Sequence, residues 1–157
     1  MIIKNLVDED FSNYKKPSMF IAFPYCSFKC EKDCGEKVCQ NGELATSPNI
    51  EISTDKIVNR YLENNLTSAI VCGGLEPFDS WNDLYNLIQV FRQKTDNDIV
   101  IYTGYYKKEI EDKIKELGTY KNIIIKYGRY IPNEKNVYNK LLGVKLASKN
   151  QYAERVN

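Results

Sequence analysis

Residues 18–41 read SMFIAFPYCSFKCEKDCGEKVCQN. The first six predict a β-strand over 18–23, and it leads straight into a loop, 24–41, that holds Cys26, Cys30, Cys34 and Cys39. Four of the chain's five cysteines thus fall within fourteen residues, in a polar, lysine-rich segment where packing gives no reason to gather them. Thiolates so grouped hold iron–sulfur or zinc. The chain has no histidine, which excludes the mixed cysteine–histidine zinc patterns.

Outward from this loop the chain alternates. Residues 54–64 predict a helix with Thr54 as N-cap and Ile57, Tyr61 and Leu62 on one face. Residues 67–72 predict a second strand ending at Gly73-Gly74, and 79–94 a helix with Asp79 or Ser80 as cap and a stripe of Leu84, Leu87, Ile88 and Phe91. A strand over 98–105, a charged helix over 107–117 closed by Gly118, and a strand over 122–127 follow. The tail, 129–157, reads as loop-rich. Strand–helix–strand order predicts an α/β fold with a mostly parallel sheet and helices packed on it, in a single domain spanning 1–157.

In such sheets the functional loops follow the carboxyl ends of the strands. The cysteine loop, the turn Gly73-Gly74-Leu75-Glu76-Pro77 and the segment Thr103-Gly104-Tyr105 are therefore expected to meet around one pocket. Glycines there expose backbone groups to a ligand, and Glu76 offers a carboxylate to a ligand amine. The plainer reading of GGLEP is a turn and nothing more. Cys72, inside SAIVCGG, reads as a small buried core residue.

The bulk properties narrow the classes. A net charge of +1 argues against a generally cationic nucleic-acid binder. Residues 105–149 carry eleven Lys or Arg against five Asp or Glu, a solvated face or a dock for an acidic partner. No apolar run approaches the roughly 20 residues of a membrane helix, and acids soon after the apolar start MIIKNLV leave no signal-peptide core. A cytoplasmic protein away from membranes is expected, and cysteines in a reducing compartment favour metal over disulfides.

In these residues the chain resembles the radical S-adenosylmethionine proteins, and among them the small activating proteins of anaerobic ribonucleoside-triphosphate reductase. The resemblance rests on the cysteine loop, GGLEPFDSW, IYTGY, and YGRYI followed by Gly143 and SKNQ, and covers most of the chain. It implies a partial (βα) barrel, a [4Fe-4S] cluster on three cysteines, and S-adenosylmethionine bound at the open iron, with Gly73, Gly74, Glu76, Thr103 and Phe28 as contacts. It further implies reductive cleavage to a 5′-deoxyadenosyl radical, a glycyl radical on the partner reductase, and an electron donor such as flavodoxin or ferredoxin. Thiolate suits such a cluster, and three ligands leave one iron open.

Two departures stand out. The family spacing C-x3-C-x2-C is met by Cys26 and Cys30, but position 33 is Asp. Spacing favours Cys34 as third ligand; context favours Cys39, because Cys39-Gln40-Asn41 resembles the Cys-aromatic-Asn end of the family loop. Leu75 is an extra residue inside the GGEP turn. Tyr25 and Phe28 read equally as covers for the cluster or adenine and as aromatic packing. Arg129 reads as an ordinary surface charge or as a contact to a carboxylate or partner; Trp81 reads as packing. Two alternatives stand beside the activating enzyme: a radical enzyme acting on another protein or small molecule, and a non-catalytic zinc module holding all four clustered thiolates.

Overall fold

Strands buried on both faces need cover on both, and the two covers here differ in kind. In the computed structural model, which describes residues 1–157, the chain runs β1 (Ile2–Ile3), β2 (Asn5–Asp10), β3 (Ser18–Phe23), α1 (Lys29–Cys34) and α2 (Gly42–Thr46). It continues through β4 (Ile50–Glu51), α3 (Thr54–Glu63), β5 (Ala69–Gly74), α4 (Trp81–Arg92) and β6 (Asp98–Tyr102). α5 (Glu111–Leu117), β7 (Ile123–Tyr127), β8 (Val137–Asn139), β9 (Val144–Leu146) and β10 (Tyr152–Arg155) complete it. Six strands form one open sheet in the order β10-β7-β6-β5-β3-β2. The four central strands are parallel, and β2 and β10 pair antiparallel at the two edges.

The strand period of two divides the side chains cleanly. Ile21, Ile70, Cys72, Ile99, Ile101, Ile123 and Ile125 pack with the helices, among them Ile57 and Tyr61 of α3, Leu84, Leu87, Ile88 and Phe91 of α4 and Leu117 of α5. Ala69, Val71, Val100 and Ile124 point the other way, where Tyr14, Leu142 and Leu146 cover them. Successive parallel strands joined through helices by right-handed crossovers put all three helices on one face. The other face is left to the N-terminal loop and the β8–β9 hairpin.

The expected α/β class and parallel sheet are found, and the α4 stripe and Cys72 are fully buried. Several details differ. Ser53, not Thr54, caps α3, its hydroxyl accepting from the Lys56 amide at 3.3 Å, and Leu62 lies exposed beyond the buried stripe. Gly73 and Gly74 belong to β5, because β3 runs on to Phe23 and the ladder continues alongside it. Pro77–Ser80 forms a 3-10 turn capped by Glu76, and α4 starts at Trp81 with Ser80 at its N-cap but making no side-chain capping bond. The helix expected over 107–117 is divided into a 3-10 turn, Lys107–Glu109, and α5, since the Glu109 carboxylate turns back to accept from the Tyr106 amide at 2.8 Å. The tail is not merely loop: it supplies β8, β9 and β10. No helix is long and apolar enough to cross a membrane.

Candidate metal and ligand site

The carboxyl ends of β3, β5, β6 and β7 lie along one sheet edge, and there the chain spends its polar residues. β5 leaves the sheet at Gly74, whose φ of 81° is in the left-handed region, and a β-carbon there would lie 2.8 Å from Ala22 Cα. Glycine is therefore required by both conformation and space. The next residues bind back to the cysteine loop: the Glu76 amide donates to Tyr25 O at 2.8 Å, and Asn41 Nδ2 donates to Gly74 O at 2.7 Å.

Glu76 is buried, and its carboxylate is taken up by the protein itself. It accepts from the Phe78 amide at 3.1 Å, the Thr103 hydroxyl at 2.8 Å and the Gly104 amide at 2.8 Å. Burial pushes its pKa up to about 7 against the pull of those donors. Glu76 thus joins the β5 and β6 exits, with Thr103 as its donor. Asp79 makes a second tie, accepting from the Ser27 amide at 2.7 Å and from the Tyr105 hydroxyl at 2.5 Å.

These exits enclose a cavity of about 420 Å³, within the range of small-molecule sites. Cys26, Cys30 and Cys39 line it together with Gly73, Gly74 and Thr103. Cys34 does not: it is exposed, its thiol directed at the carbonyls of Glu31 and Glu36. Phe28 is also outside the lining; with φ of 51° it starts α1, and its amide donates to Cys26 Sγ at 3.2 Å. Burial pushes the Cys26 thiol up to about 12 and raises Cys30, on which neighbouring Cys39 also acts. A cation among them reverses that balance, because it stabilises the thiolate that burial disfavours.

Two cations at the end of β7 escaped the sequence reading or were read differently. Lys126 is buried, lines the cavity, and donates to Gly128 O at 3.2 Å. Burial lowers its pKa to about 8. Strand alternation could have found it: in IIIKY the lysine falls on the face away from the helices. Arg129 is buried too, not a surface charge, and forks onto Glu109 with contacts of 2.7 and 2.6 Å. Within the SKNQ segment, Gln151 donates to Gly128 O at 3.1 Å and Asn150 to Arg129 O at 2.8 Å, closing the β7 exit.

Residues 17–152 match the model of the 4Fe-4S single cluster domain. The chain belongs to that family. No curated protein and no solved structure matches it. The family supports a 4Fe-4S cluster, and the donor set fits one: three soft thiols open on a single cavity, carried by a loop whose two short helices bury no residue. As the side chains stand, no three potential ligands are placed to hold a single metal ion.

Proposed function

We propose that this chain is a radical S-adenosylmethionine activating enzyme of partial-barrel type, working in the cytoplasm on an anaerobic ribonucleotide reductase. The observation that carries the reading is the sharing of one cavity by three thiols, the Gly73-Gly74 strand end and the buried Lys126. Three thiols supply a 4Fe-4S cluster with one iron left for a ligand. When bound, such a cluster would supply one electron, drawn from a donor such as flavodoxin or ferredoxin, for reductive cleavage of S-adenosylmethionine to methionine and a 5′-deoxyadenosyl radical, the species that would take a hydrogen atom from a glycine of the reductase.

The chain's own residues bind and orient. The backbone at Gly73 and Gly74 presents its polar groups to the ligand's amine, and the Lys126 ammonium offers donors beyond its one bond to Gly128 O for a carboxylate. Glu76 holds the Thr103 and Gly104 exit against the β5 exit, a positioning role. Lys145 and Leu146 of the hairpin line the cavity on the side away from the helices, where they limit water. The four-thiolate zinc module is the weaker reading because Cys34 is outside the cavity.

Anaerobic reconstitution with iron and sulfide, followed by electron paramagnetic resonance of the reduced protein, tests this. A [4Fe-4S]+ signal that changes shape on adding S-adenosylmethionine is expected. A protein that takes one zinc tightly and gives no such signal would discard it.

A further inference from the structure

α1 carries Cys30 yet buries no residue, so nothing apolar determines how it sits. Two of its four charged residues, Lys29 and Asp33, tie it to the sheet end. Lys29 Nζ lies 3.0 Å from Glu109 Oε1, and Asp33 Oδ2 lies 2.7 Å from Arg129 Nε, an ion pair without hydrogen-bond alignment. Glu109 and Arg129 are themselves joined as a bidentate pair, with contacts of 2.6 and 2.7 Å. The helix thus presents a cation and an anion to an anion and a cation. The receiving pair is well fixed: Glu109 also accepts the Tyr106 amide, Arg129 rests over the Tyr106 ring at 4.8 Å, and its side chain is only 8% exposed.

Helical geometry turns this contact into a selection. At about 100° and 1.5 Å per residue, Cys30 and Cys34 lie about 40° apart on one side of the helix, with Cys34 one turn, about 6 Å, further along it. Holding Lys29 and Asp33 against Glu109 and Arg129 therefore fixes where the helix lies along its axis. Cys30 then lines the cavity and Cys34, a turn further on, is exposed, as observed. We propose that Arg129 and Glu109 are positioning residues that hold α1 in this place, and so decide which thiols reach the cluster: Cys30 is admitted and Cys34 kept out. Aspartate at position 33, where the resemblance leads one to expect a cysteine, is then a docking charge in place of a ligand. The inference rests on the cluster and not on the S-adenosylmethionine reading.

The test compares the full chain with Asp33→Asn, Arg129→Gln and their double variant after anaerobic reconstitution. Iron retained against a chelator is measured, and the cysteines left open to alkylation are mapped by mass spectrometry. In the parent chain Cys34 is expected to be labelled while Cys26, Cys30 and Cys39 are protected. Each single variant is expected to retain iron about tenfold less well, the scale typical of residues that orient ligands, and to protect Cys34 in a share of the molecules. The double variant should be no worse than the worse single one, since the two residues act through one contact. Asp33 is 59% exposed, so its variant folds even if Arg129→Gln does not, and circular dichroism of the metal-free chains checks this. Variants that hold iron and label at Cys34 as the parent does would overturn the proposal while leaving the cluster standing. A parent chain that takes up no iron would remove both.

Discussion

Asn41 Nδ2 donates to the carbonyl oxygen of Gly74 at 2.7 Å, so the end of the cysteine loop is fastened to the glycine exit of β5. Cys39 lies two residues before that fastening and lines the cavity, whereas Cys34, at the end of α1, is exposed. Cys39→Ser is therefore expected to abolish cluster binding, as are Cys26→Ser and Cys30→Ser, and Cys34→Ser to leave it intact. Iron and sulfide content per chain decides the matter. Equal and complete loss at both Cys34 and Cys39 would point to a four-thiolate site instead.

Lys126 gives a second expectation. Replacing it with Met keeps the stem and removes the charge. A hydrogen bond to a charged group is worth roughly 1.5–3 kcal/mol, so S-adenosylmethionine should bind roughly ten- to a hundredfold more weakly. Titration calorimetry on the cluster-loaded protein reads this. Because burial lowers the lysine pKa to about 8, binding to the parent should weaken as pH rises through that value, and Lys126→Met should lose that dependence. Unchanged affinity in the variant would separate Lys126 from ligand binding.

Glu76 predicts a pH dependence of stability in the metal-free chain. Its pKa is raised from 4.5 to about 7, so between those values the folded state holds a proton that the unfolded state has released. Stability contributed by that proton is full below 4.5 and is lost as pH rises towards 7. The opposite sign applies to Lys126, whose window lies between about 8 and 10.5, so the two do not overlap. Denaturant melts from pH 4.5 to 7 should show the decline for the parent and a flatter profile for Glu76→Gln. A profile shared by both would assign the slope elsewhere.

Gly74→Ala tests the strand exit. The added β-carbon meets Ala22 backbone at 2.8 Å, and φ of 81° strains any L side chain, so a loss on the order of 1–3 kcal/mol is expected. Gly42→Ala, where a β-carbon meets nothing within 4 Å, should cost far less. Paired thermal melts of the two variants check this, and similar losses would deny the close approach.

Much of this was legible in the chain because the signals were local. The strand at 18–23, the Leu84–Phe91 stripe and the meeting of three loops at one edge all follow from periodicity and order. Ambiguity began where distant residues decide. Cys39 lines the cavity while Cys34 is left out only in the folded arrangement, where α1 meets Glu109 and Arg129, which lie far along the sequence. Tyr152–Arg155 becomes a strand only because β7 offers it an open edge, a fact about the sheet and not about those four residues. Arg129 read as a surface charge or as a carboxylate contact, and only the folded chain, which brings Asp33 and Glu109 to it, decides for the second.

The metal loop contributes no buried residue through α1 or α2, while the helices and strands behind it close their own core. Folding is thereby expected to proceed without metal, unlike in small zinc domains that unfold when stripped. Oxidative destruction of the cluster should then leave an intact scaffold rather than a substrate for proteolysis. Such a chain is expected to survive loss of its cluster to oxygen and to accept a new one when oxygen is gone, so that the inorganic part is expendable and the polypeptide is kept.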